Sequence, residues 1–184
     1  MLDEQSLGEY IDSRATWNLF RLETLDLYDV SSNVDAYHRY VEGEVKPDTD
    51  RKEPWMEQIR SEVARGLHTY RIHVVRSPLS DYLRYECEWD YVYNARAGEH
   101  IRILDLAELP RPADLLDEDF WLIDDREVLR MHYSDDGKYV GAEVAPEEVL
   151  PRYLAAKEAA WSGAIDFADY WKAHPGYWRD PSAA

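Results

Sequence analysis

The chain has 184 residues, 45% of them hydrophobic, with seven Trp and fourteen Tyr against only three Phe; that is enough apolar material for one domain with a sizeable core. Its 38 acidic residues against 21 Lys plus Arg give a net charge of −17, which argues against direct binding to nucleic acid or to an anionic membrane. Cys87 is the single cysteine, which excludes an internal disulfide and a cysteine-rich zinc site. With no signal-type start and no apolar run long enough to span a bilayer, the expected compartment is the cytoplasm.

In chain order, residues 1–15 read as a polar tail or short helix. Residues 16–27 mix apolar and charged side chains and fit no single period. Ser31, Ser32 and Asn33 offer N-cap groups to a helix carrying Val34, Tyr37 and Val41 and ending near Gly43. Pro54 suits a first helical turn. Trp55, Ile59 and Val63 then fall at i, i+4 and i+8 as the predicted buried stripe, Gly66 is the stop, and Glu57, Arg60, Glu62 and Arg65 form the exposed face. Residues 69–75 alternate as a strand. Ser80 then caps a helix running to about Tyr93, and residues 100–104 make a second strand.

Residues 105–119 form an acidic linker with two prolines. Residues 120–123, 127–133 and 139–144 follow as a meander, its second turn, Asp135-Asp136-Gly137-Lys138, being a strong hairpin signal. From Pro146 the pattern is helical. Pro151 kinks or restarts that helix, and Gly163 divides off a last segment through Trp171. This order predicts an α/β fold: a mixed sheet with a strand–helix–strand unit, its strands 70–75 and 100–104 parallel, plus an antiparallel β meander, flanked by helices. The domain plan is a tail over 1–15, a single α/β domain over 16–161, and a helical extension with a frayed tail over 162–184.

Six histidines show no metal-ligand spacing, and His73 and His132 fall in strands. The doublets Asp124-Asp125 and Asp135-Asp136 sit at turns, where Asp suits the backbone geometry. No phosphate loop, nucleophile elbow or zinc helix motif occurs, so no catalytic residue, metal or cofactor is assigned. The acidic neighbours Glu86 and Glu88 are expected to raise the Cys87 thiol pKa. The expected site lies where the turn over 77–84 meets the hairpin over 119–125, because ligands in open sheets sit beyond the carboxyl ends of parallel strands. Its candidate binding residues are Arg71, His73, Ser80, Asp81, Tyr82, Arg84, Arg102, Trp121, Asp124 and Asp125. Ser80 and Asp81 open a helix whose free N–H groups favour an anion. Arg71 and Arg84 add positive charge, Arg84 being placed to reach a ligand or Asp124, and Trp121 walls the pocket or fills core.

The stretches R-L-E at 21–23, S-P-L-S-D-Y-L-R-Y-E at 77–86, G-E-H-I-R at 98–102, D-F-W-L-I-D-D at 119–125 and M-H-Y-S-D-D-G at 131–137 occur together. As a set they resemble an actinobacterial family of uncharacterised domains, encoded beside antitoxin-like helix-turn-helix regulators and small toxin-like proteins. The resemblance spans roughly residues 14–161. It implies a protein partner of one of those kinds and leaves the oligomeric state open. The layout is also similar to a degenerate half of a phospholipase D-like domain. That superfamily needs H-x-K-x-x-x-x-D; with Asp124 in the Asp place, Asp117 and Asp119 stand for His and Lys, and with Asp125 the positions are Glu118 and Phe120. Neither register supplies a nucleophile or a phosphate-binding cation. The expected function is a non-enzymatic regulatory or interaction module acting with a helix-turn-helix regulator, with a small ligand as its signal. The alternatives are an enzyme with an unfamiliar site around His73, Arg84 and Asp124, and an acidic DNA mimic.

Overall fold

The computed structural model describes residues 1–29 and 34–179. Its seven-stranded mixed sheet is built on three adjacent parallel strands: β1 (Asn18–Glu23), β2 (His68–Val75) and β3 (His100–Asp105). The antiparallel meander β4 (Phe120–Ile123), β5 (Glu127–Tyr133) and β6 (Tyr139–Val144) extends the β1 side, and the two-residue β7 (Ile165–Asp166) borders β3. The parallel pair joined by a helix, and the meander, are as the periodicity predicts. β1 is the strand that the pattern leaves ambiguous: all six of its residues are buried, so it lacks the apolar–polar alternation that marks a half-exposed strand.

Alternation inside β1 and β2 sends their side chains to two different environments. Phe20, Leu22, Tyr70, Ile72 and Val74 pack with Phe120 and Leu122 against Tyr153, Ala156 and Ala160 of α6 (Leu150–Gly163). The other face carries Leu19, Arg21 and Glu23 in register with Thr69, Arg71 and His73. It is covered by the two crossovers. The first holds α2 (Val34–Val41) and α3 (Thr49–Ala64); the second runs through α4 (Asp81–Tyr85), a π-helical turn over Glu86–Tyr91, and α5 (Val92–Ala97). The proposed N-cap at Ser31, Ser32 and Asn33 lies outside the described residues.

One local reading changes. α3 starts at an Asp48 cap, with Pro54 inside it, and buries Met56, Ile59 and Glu62, whereas Trp55 and Val63 are exposed. The i, i+3 pair Met56–Ile59 packs beside Ala97 of α5, which turns the helix away from the Trp55–Val63 stripe. Among the described residues, helices on either side of 16–161 pack against the sheet. In α1 (Glu4–Arg14), Ile11 packs with Leu19, Ile123 and Leu129, and Leu2 bridges Ala142 of β6. In α7 (Phe167–Ala173), Phe167, Tyr170 and Trp171 pack on Ile101 and Ile103. Among the described residues no helix is long and apolar enough to cross a membrane.

Candidate functional site

Four neighbouring strand residues on one face are ionisable, and all are nearly sealed from solvent. Glu23 sits between two guanidiniums: Arg21 Nε donates to Oε1 at 2.8 Å, and Arg71 Nη1 donates to Oε2 at 3.1 Å. Arg71 Nε also donates to Glu99 at 2.6 Å, while Arg21 Nη2 donates to the Tyr133 hydroxyl and approaches Asp119. Asp119 in turn accepts from Thr24 and from the Tyr28 hydroxyl. Charges buried this deeply persist only when paired and hydrogen-bonded.

His73, 1% exposed, is the centre of the row. Its Nε2 lies 2.9 Å from the Leu25 carbonyl, which can only accept. Its Nδ1 lies 2.7 Å from the Tyr91 hydroxyl, and that hydroxyl donates its one proton to Glu23 at 2.9 Å. Both ring nitrogens must therefore carry hydrogen, so His73 is an imidazolium. Burial works against that charge, but the neighbouring carboxylate of Glu86, helped by that of Glu23, raises its pKa to about 9. Burial would raise the Glu23 pKa, yet Arg71, Arg21 and His73 hold it below the usual carboxylate range. Glu86 is raised, because burial outweighs His73 there. Its Oε2 is 3.2 Å from Nδ1 but accepts no hydrogen bond, since the ring proton serves Tyr91.

The π-helical turn makes this arrangement possible. Residues 86 and 91 are five apart and would diverge by about 140° on an α-helix; the wider i→i+5 turn brings both to His73. Glu23, His73 and Glu86 each offer a ligand atom within 4.8 Å of the others. A cation there would have to displace the His73 proton and compete with Arg21 and Arg71 for Glu23, so the proteins' own cations fill that role.

A cavity of about 590 Å³ opens above this row, between α2, α3 and the π-helical turn, with Arg71, Glu86, Tyr91 and Asn94 among its lining residues. Of the candidates read from sequence, Arg71 and His73 belong to this assembly. Ser80 caps α4 through Leu83 N, as expected, and its hydroxyl donates to the Asp26 carbonyl. Tyr82 is buried among Tyr28, Tyr37 and Tyr85. Arg84 lies 3.7 Å from the exposed Asp81 and donates weakly to the Tyr177 carbonyl. Arg102 donates to the Trp161 carbonyl and lies over that indole. Trp121 stacks under Arg21 and packs beside the α1 cluster.

The expected meeting of the 77–84 turn with the 119–125 hairpin does not occur. Asp124 N donates to Asn18 O at the start of β1, whereas Ser80 follows the far end of β2; at about 3.3 Å per residue the two are roughly 20 Å apart. The Asp124 carboxylate accepts from Thr16, Trp17 and Asn18, and Asp125 pairs with Lys157. Both aspartates have φ of 52°, the left-handed conformation of a tight hairpin. Asp124 thus lies at the opposite end of the parallel strands from the helix that carries Arg84. The residues missed were Arg21, Glu23, Glu86, Tyr91 and Asn94. Their signal was present as R-x-E at 21–23 and R-x-H at 71–73: charges two apart on strands lie on one face, and parallel register sets the two pairs side by side.

The family model of a domain of unknown function, DUF6879, matches residues 6–172, and the chain belongs to that family. No curated protein matches it.

Proposed function

We propose that this member of the DUF6879 family is a regulatory or interaction module, not an enzyme, that acts in the bacterial cytoplasm with a helix-turn-helix transcription regulator and responds to a small ligand. One observation carries the reading. The most strongly perturbed groups of the polar face are committed to one another, with His73 bonded at both ring nitrogens, while the cavity above them stays open. A sealed imidazolium has no lone pair with which to abstract a proton, but the network holds Arg71 rigidly as part of a binding surface. The actinobacterial setting and the neighbouring regulator come from the motif resemblance, as does the phospholipase D-like layout, which is proposed as a likeness of fold alone. With −17 on the chain, counterion release offers little gain on DNA, so the contact with DNA would be made by the partner.

The test is to purify the chain with the regulator encoded beside it. A stoichiometric complex by size-exclusion chromatography, and altered operator occupancy by the regulator, are expected. The isolated chain should show no duplex binding at physiological salt. Sub-micromolar, salt-sensitive DNA affinity of the chain alone, or no complex, would overturn the reading.

A further inference from the structure

The cavity over the polar face has unused hydrogen-bonding capacity of both signs. Arg71 spends Nε and Nη1 on Glu99 and Glu23; its Nη2 has no hydrogen-bond partner among the described residues. Glu86 accepts no hydrogen bond at Oε2. Asn94 is only 6% exposed, lines the cavity, and makes no side-chain hydrogen bond among the described residues. All three border the cavity, so together they offer a ligand both hydrogen-bond donors and acceptors.

Charge narrows the choice. Arg39, Arg51, Lys52 and Arg71 line the cavity. Asp35, Asp48, Glu86 and Asp90 line it too, so the lining is balanced within a protein of net charge −17. A free anion would meet the carboxylates and the field of the whole chain; a free cation would meet the guanidiniums. A dipolar ligand satisfies both. Trp55, Tyr85, Trp89 and Tyr91 add aromatic surface, and about 590 Å³ lies within the usual span of small-molecule sites.

We propose that this cavity binds a small zwitterion, a free α-amino acid with an apolar or aromatic side chain. Its carboxylate is held by Arg71 Nη2 and the Asn94 amide, and its ammonium by Glu86. Arg71 is suited to the carboxylate because its other nitrogens are already pinned, which fixes the guanidinium plane before the ligand arrives. The proposal rests on the ligand-responsive reading above and gives that ligand a chemical class.

The experiment screens the purified full chain against the twenty free L-amino acids by thermal shift, followed by calorimetry. At least one apolar or aromatic amino acid should raise the melting temperature at millimolar concentration. Its N-acetyl and carboxamide derivatives should each bind at least tenfold more weakly. Asn94→Ala should fold as the parent, having no side-chain bond to lose, and bind about tenfold more weakly; Glu86→Gln should weaken the free amino acid more than its N-acetyl form. No shift with any amino acid overturns the proposal. Equal binding of the N-acetyl derivative also overturns it, identifying a plain anion site, and unchanged binding by Asn94→Ala places the ligand elsewhere. A regulator complex that forms while all amino acids fail removes this inference and leaves the regulatory reading; amino-acid binding without any complex does the reverse.

Discussion

The two faces of the β1–β2 pair are made from alternating residues of the same few strands, yet they hold together by different physics. On the α6 face, Phe20, Leu22, Ile72 and Val74 are buried in an apolar cluster, where stability comes from area removed from water and close packing. On the crossover face, Arg21, Glu23 and His73 are buried as charges, with Arg71 half-buried beside them, and each buried ion persists only through its partners. A packed apolar face needs residues of roughly the right size. A charged face needs named partners at named distances, so it tolerates less change and holds polar groups at fixed positions beneath a cavity.

The sharpest contrast is predicted for a pair of truncations. Phe20→Ala on the apolar face and Arg71→Ala on the polar face should each lower unfolding stability by about 3–5 kcal/mol, measured by urea denaturation. They should differ in kind. The Phe20 loss should be independent of pH, whereas Arg71→Ala takes from Glu99 its guanidinium partner and from Glu23 one of its two, and should recover part of its loss on mild acidification. Equal pH behaviour of the two would remove the distinction between the faces.

Next in size is the pH profile of the parent protein. The folded-state pKa of His73 is raised from 6.5 to about 9, so its contribution is complete below pH 6.5 and is lost as pH rises toward 9. The stability lost across that window should be roughly 3 kcal/mol. Unfolding midpoints at pH 6.5 and pH 9 check this, and His73→Gln should flatten the profile while lowering stability at pH 6.5.

Much of the fold was legible because β2, the meander and the α4 cap follow simple periods and local chemistry. What escaped was non-local. The alternation in β1 is hidden because both of its faces are buried, the apolar one by α6 and the charged one by the crossovers. Glu86 and Tyr91 could not be assigned to one site, since α-helical spacing separates them and only the π-helical turn unites them. Arg71 and His73 were found through their positions on a predicted strand. Asp124 was misplaced because a doublet after a strand looks the same at either end of a sheet; the antiparallel direction of β4 against β1 puts it at the amino end of the parallel strands.

Asp124 supplies the third and smaller effect. Its carboxylate is held by the Thr16 hydroxyl and by backbone N–H groups of residues 16–18, apart from the charged side-chain network, and these bonds lower its pKa against the effect of burial. Asp124→Asn should cost about 1–2 kcal/mol and leave the His73 titration unmoved. The smallest effect belongs to Arg84. Its 3.7 Å contact is with the exposed Asp81, so Arg84→Ala should change stability by about 0.5 kcal/mol or less. A larger loss in a thermal melt would show that Arg84 couples to the polar face after all.

The polar face is organised around the protonation of one ring. Long-range ¹H–¹⁵N correlation spectra of the His73 imidazole, recorded between pH 5 and pH 10, read both nitrogens directly. Two protonated ring nitrogens at neutral pH, with a transition near pH 9, are the result expected from the Leu25 carbonyl, Tyr91 hydroxyl and Glu23 carboxylate around it. A neutral tautomer at pH 7, or a transition at or below the ordinary histidine value, would contradict it, because the polar face would then not be the interlocked array of charges that underlies both its rigidity and the cavity above it.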